Sequence, residues 1–326
     1  MKFVFALLAG FVFSVSMWGQ TGGSPSQGWS VEPLLDIARE VPPVVDQQVP
    51  PTPAQVPADL EPIPQGEPYY IELGGFTNFV SGNYGQWSGG QGRIMFRHLK
   101  GDFAKHFVPI LSFATQTRPT GTQATFGLDS YILFNKWFYM LAGVGGAPGD
   151  QNIWPSLRYG ATGYITIPDT KGLVASVGAA QVRSTSGQYG NIYSVGGLYY
   201  HGRAIWSGYL SFNDEFPGNI TSKSGAMAVQ YGAEKHYWIG FGMSGGRIAY
   251  QTIALQPLNV RLESFGPNFF YQKWITRNWG VIFKYDYQDE LTAYTRHGIQ
   301  ASIFFEVGPV PPELQRNATV PPAPAH

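Results

Sequence analysis

Apolar side chains recur at every second residue through segment after segment of this chain. Trp279, Val281, Phe283, Tyr285 and Tyr287 alternate with Gly280, Ile282, Lys284, Asp286 and Gln288; Ile299, Ala301, Ile303 and Phe305 alternate with Gly298, Gln300, Ser302 and Phe304. The same split runs through Phe126, Leu128, Ser130, Ile132 and Phe134, through Met227, Val229 and Tyr231, and through Tyr237, Ile239, Phe241 and Met243. A period of two puts each set on one face of a strand, so the chain must build a sheet with one apolar face. Composition says what that face meets. Only 13% of the 326 residues are charged against ~25% in ordinary soluble domains, while 15% are aromatic. That is too little charge to clothe a cytosolic enzyme. Equal numbers of acids and bases, 21 each, remove the basic footprint of a nucleic-acid binder. No cysteine is present, which excludes disulfide scaffolds, thiol nucleophiles and Cys-based metal sites.

The alternating segments predict strands over 69–80, 90–99, 106–116, 122–134, 136–145, 156–167, 172–183, 188–200, 204–213, 222–233, 236–246, 259–275, 278–288 and 294–306. Fourteen is the reading; twelve or sixteen stay open because 247–275 is poorly patterned. Short turns with a basic residue beside aromatics recur at Lys136, Arg203, Lys235 and Arg277, with Lys171 completing the series. The alternate connections are expected to be longer and more polar: Gly145–Pro155, Ser184–Gly190, Asn213–Gly225, Gly246–Asn259 and Tyr287–Thr295. Tight turns on one rim, long loops on the other and aromatics at the turns are the pattern of an up-and-down transmembrane β-barrel. A soluble β-sandwich is the competing fold, but it has little use for aromatics at turn edges.

Proline marks the borders. Of 25 prolines, 17 lie before residue 69 or after residue 308. Proline cannot donate to a sheet ladder, so the crowded ends read as tails and the middle as the folded part. Inside it, Pro109 and Pro267 are expected to mark a strand start and a bulge. Lys2 followed by the apolar run Phe3–Phe13 reads as an export signal, too short for a membrane helix, with Ser14, Ser16 and Gly19 as small residues for cleavage. The predicted organisation is a signal peptide over 1–20, a Pro-rich periplasmic tail over 21–68, a barrel over 69–307 and a disordered Pro-rich tail over 308–326. Within the first tail, Ser30–Glu40 has the makings of one short amphipathic helix.

Several stretches together resemble a known family: Phe126–Tyr131, Leu157–Ala161, Gly172–Ala179, Tyr193–Tyr200, Ile205–Tyr209, Val229–Ala233 and Ile239–Gly246. They look like the YaiO-type outer-membrane β-barrel family. The resemblance implies an outer-membrane location in a Gram-negative-type bacterium and carries no catalytic residues with it. The Pro-rich segment after Phe305 departs from the usual ending at the final strand.

The alternation assigns a lumen lining. Glu72, Asp129, Glu263, Asp286 and Glu306 are set against Arg93, Arg97, Arg158, Arg261, Lys284 and Arg296. Near-balance argues for mutual pairing rather than a strongly selective anion or cation pore. Arg93 and Arg97 share a side and suit either an anion or a pair with Glu72. The histidines lack metal-ligand spacing, and His297 and Ser302 fall on opposite faces, against a barrel-wall hydrolase. The expected function is therefore non-enzymatic and without cofactor: a narrow or plugged pore for small or saccharide-like solutes, or an envelope component. The alternatives are a docking barrel whose Pro-rich tail tethers a periplasmic partner, and a lipid-modifying enzyme. Outer-membrane lipid and the barrel-assembly machinery are the other expected partners.

Overall fold

The computed structural model describes residues 67–308 apart from 83, 100–102, 150–152, 154, 169, 171, 186, 217–219, 249–261 and 291–293. The expected signal peptide, the expected tails up to residue 66 and from residue 309 on, and Arg261 lie outside the described residues. Fourteen strands follow in order: β1 (Tyr69–Val80), β2 (Gly85–Phe96), β3 (Phe107–Arg118), β4 (Gly121–Asn135), β5 (Phe138–Gly146), β6 (Leu157–Thr166), β7 (Leu173–Arg183), β8 (Tyr189–His201), β9 (Ala204–Phe216), β10 (Ile220–Ala233), β11 (Tyr237–Ile248), β12 (Leu262–Trp274), β13 (Trp279–Glu290) and β14 (Tyr294–Val307). Each pairs antiparallel with its sequence neighbours, and β1 closes on β14 from Tyr69 opposite Val307 to Val80 opposite Arg296. Closure removes both sheet edges, which is what a sheet needs where no water is present to satisfy unpaired backbone groups.

The barrel is inside out. Along β14, Arg296, Gly298, Gln300, Ser302, Phe304 and Glu306 are buried, whereas His297, Ile299, Ala301, Ile303, Phe305 and Val307 are exposed. Val177, Phe126 and Phe241 are more than half exposed, while Gln116, Gln230 and Gln272 are each at 1%. Apolar groups turned out and amides turned in reverse the order of a soluble sandwich and match a wall solvated by lipid. Aromatic pairs border this band: Tyr69 on Phe96, Phe103 on Phe107 and Phe134 on Phe138 near the rim of the chain ends, and Tyr189 on Phe216 near the other. At the lower rim, the one carrying Glu67 and Gly308, the β4–β5, β8–β9 and β10–β11 turns are tight. In the β4–β5 turn the Asn135 side-chain oxygen accepts from the N–H groups of Trp137 and Phe138, and Gly202 turns the β8–β9 corner at φ +58.

Three expectations shift. Two of the long polar connections are largely strand: β9 runs to Phe216 and β10 starts at Ile220, while β13 runs to Glu290 and β14 starts at Tyr294. The ladder continues through polar residues such as Asn213 opposite Ser222 and Asp214 opposite Thr221. Polarity there reflects height above the apolar band, not loss of backbone pairing. β2 starts at Gly85, because its glycines pair with β1 in unbroken register despite their low strand propensity. Pro267 makes no bulge: the β12–β13 register is the same on both sides of it, and only the pairs at Gly266 and Pro267 are missing. The proline instead keeps its pairing with Met243 on β11.

Candidate functional site

The lumen has two storeys. In the lower one, inward side chains form a single apolar floor that includes Tyr70, Met95, Val108, Leu133, Tyr139, Tyr164, Leu198, Ile205, Trp238, Phe270, Ile282 and Phe304. Several are sealed from solvent, with Val108 and Phe304 at 0%. Beneath it an ion cluster gathers strands from across the closure seam. One Glu306 oxygen accepts from Arg97 Nη1 at 2.8 Å, and the other from Trp274 Nε1 at 3.0 Å and from the Lys235 ammonium. Lys235 also reaches Glu67 at 2.7 Å, just before β1, and it does so from a left-handed backbone (φ 61) in the β10–β11 turn. No other non-glycine among the described residues has positive φ.

The upper storey is polar and lopsided. Amides and charges concentrate on β13, β14 and β1 to β6, whereas β7 to β11 present small groups such as Gly178, Ser194, Ser211, Ser224, Ser244 and Gly246. The charges lie along the wall. Arg93 meets Glu72 at 2.8 Å and Arg296 meets Asp286 at 2.9 Å; Arg158 stands 4.0 Å from Asp129. Glycines make the seats for them. A Cβ on Gly145 would come within 2.9 Å of Arg158 Nε, and one on Gly127 within 2.9 Å of its Nη2. The guanidinium therefore lies flat across the neighbouring strands instead of projecting into the passage.

The expected lining residues separate as follows. Glu72, Arg93, Arg97, Asp129, Arg158, Asp286, Arg296 and Glu306 occupy inward positions and form the pairs just described. Arg97 lies apart from Arg93's pair, going to Glu306, with both guanidinium groups about 5 Å from the Tyr70 ring. Lys284 is opposite Phe270 and Gln300 on the inward phase. Glu263 lies on β12 opposite Arg247, and its side chain is outside the described ones. His297 and Ser302 are on opposite faces, His297 outside against the rings of Tyr285 and Tyr287.

Sequence reading missed the group that draws the β5–β6 connection inward. The Ile153 N–H donates to Gln123 Oε1 at 2.9 Å, Gln123 Nε2 donates to the Pro148 carbonyl at 3.1 Å, and Ile153 is buried against Ala114 and Ala147. Arg118 lies 4.1 Å from the centre of the Trp87 ring and donates to Gln116. The available signal was Gln123 and Arg118 on the inward phase at the top of their strands.

Among solved structures, the chain is similar to a bacterial polysaccharide outer membrane secretin, with 8% identity, 74% of this chain and 98% of that one covered, and a TM-score of 0.49. It is also similar to the CymD monoaromatic hydrocarbon channel, with 9% identity, 76% and 90% coverage and a TM-score of 0.47. For the outer membrane protein Omp33 of Acinetobacter baumannii the values are 14%, 74%, 100% and 0.44. No curated protein matches the sequence. Residues 69–251, which run from the first strand through the eleventh, match the YaiO membrane beta barrel domain. The chain therefore belongs to the YaiO membrane β-barrel family.

Proposed function

We propose that this protein is a non-enzymatic outer-membrane pore, narrow and closed over most of its section, that serves small neutral, saccharide-like solutes. The observation that carries the reading is the lumen itself: a polar vestibule with its charges paired along the wall, standing on an apolar floor. A pore for ions of one sign needs a dominant lining charge, and pairing cancels it. Neutral polyhydroxylated molecules need amides, hydroxyls and aromatic surface, which the interior supplies. Refolded full-length protein in planar bilayers and in solute-loaded liposomes tests this. Discrete conductance with arabinose uptake is expected; an electrically silent, sugar-tight membrane at all voltages overturns it.

A second reading, in which the N-terminal segment docks a periplasmic partner, draws support from Glu67. It is 3% exposed and tied to Lys235, which fixes where the preceding segment leaves the barrel. Deleting residues 24–66 separates the roles. Raised dye permeability assigns that segment to plugging, and unchanged permeability with loss of a crosslinked partner assigns it to tethering.

A further inference from the structure

Every strand except β10 contributes a side chain to the apolar floor, as far as the described residues go. At that level β10 presents Gln230, 1% exposed, with neither its amide oxygen nor its amide nitrogen hydrogen-bonded. Its register partners are Ile205 on β9 and Gly240 on β11. Gly240 has no side chain, and Gln230 Cγ stands 3.1 Å from where its Cβ would be, so the amide leans over that glycine. Further polar atoms without a partner adjoin it. Trp238 Nε1 is two residues along β11, Gln272 Oε1 is on the β12 residue opposite Trp238, and Ser207 Oγ is on β9, two residues from Ile205. Diagonal neighbours in an antiparallel sheet are within reach of one another, so these atoms form one contiguous patch.

Buried polar groups are nearly always hydrogen-bonded, and several unsatisfied ones side by side need an occupant. A floor built only to seal would carry apolar residues here as it does on the other strands. The patch mixes donors (Trp238 Nε1, Gln230 Nε2) with acceptors (Gln230 Oε1, Gln272 Oε1), adds a hydroxyl that does both, and contains no acid or base. That chemistry suits hydroxyl groups, each of which also gives and takes a hydrogen bond, and carries no charge to offset the dehydration of an ion.

We propose that the path through the floor runs along the inner face of β10, with Gln230 at its narrowest point. The solutes that use it are neutral polyhydroxylated molecules, which exchange hydrogen bonds with Gln230, Gln272, Trp238 and Ser207 beside the Trp238 and Phe270 rings. This rests on the pore reading above and names where and how the solute passes.

The test uses full-length protein refolded into liposomes, with arabinose uptake by swelling as the readout and heat-modifiable gel migration as the check of folding. Gln230→Leu completes the apolar ring and is expected to cut arabinose uptake about tenfold, because an apolar constriction excludes water. Gln230→Ala opens the same point and is expected to raise uptake. Gln230→Glu keeps the size but is expected to shift the reversal potential in a KCl gradient toward cations. Val177→Ile, on the outward face of β7, leaves uptake unchanged. Wild-type liposomes that take up no arabinose overturn the pore reading and this path together. Wild-type uptake that Gln230→Leu and Gln230→Ala both leave unaltered overturns the β10 path alone, and the pore reading stands.

Discussion

Glu306 holds together groups that are far apart in the chain: Arg97 after β2, Lys235 in the β10–β11 turn and Trp274 at the end of β12. Its side chain is 1% exposed, and Arg97's is 7%. Glu306→Ala removes the buried carboxylate that Arg97 and Lys235 share, and breaking a buried pair of this kind costs about 3–5 kcal/mol. The urea midpoint of the variant in liposomes is expected to fall accordingly; an unchanged midpoint refutes the assignment of Glu306 as the centre of the cluster. At this scale the sequence is readable where the alternation is clean. β14 places Arg296 and Glu306 inward by phase alone, and β13 does the same for Asp286. The sequence is harder to read on β12, where Phe270 and Trp274 sit inward and Lys273 outward, so the usual polarity cue is inverted. Lys235 was legible as a turn residue, but its inward reach was not. That depends on a left-handed backbone conformation, which non-glycine residues rarely take.

Among the elements, the β5–β6 connection behaves differently from the turns. Its Ile153 and Pro148 are tied to the top of β4, both by the one side chain of Gln123. Gln123→Ala removes two hydrogen bonds worth about 0.5–1.5 kcal/mol each. Without them the connection is expected to swing outward, so that an added protease cuts within 147–156 faster and single-channel conductance rises. If both stay at wild-type values, Gln123 does not hold the connection. Strand number, order and most boundaries follow from period-two patterning. What the pattern could not reveal is how far strands continue once they leave the apolar band. β9 and β13 extend through Asp214, Glu215 and Asp289 because ladder hydrogen bonds do not depend on side-chain polarity. The inward fold of the β5–β6 connection was equally hidden, since it is written in tertiary hydrogen bonds and not in local composition.

For the whole molecule, the inward charges come mainly in pairs: Arg93 with Glu72, Arg296 with Asp286, Arg158 with Asp129, and the Arg97, Lys235, Glu306 and Glu67 group. A lining of that kind creates little net field. The reversal potential in a tenfold KCl gradient is expected near zero, with a potassium-to-chloride permeability ratio of about 0.5–2. A ratio well outside that range means that the pairs are open in the conducting state. The outward surface and the lumen are also made by one alternation. A single-residue slip in any strand would turn its oily set toward the passage and its amides toward lipid.

The seam between β1 and β14 carries one further implication. Its two strands lie at opposite ends of the barrel sequence, and the carboxylate that fastens Arg97 to Lys235 sits on the later of them, on its next-to-last residue. Until that strand docks, Arg97 and Lys235 lack the carboxylate that they share. The electrostatic latch therefore snaps only at the completion of the cylinder, and a chain cut off before Glu306 should stall as an open curl.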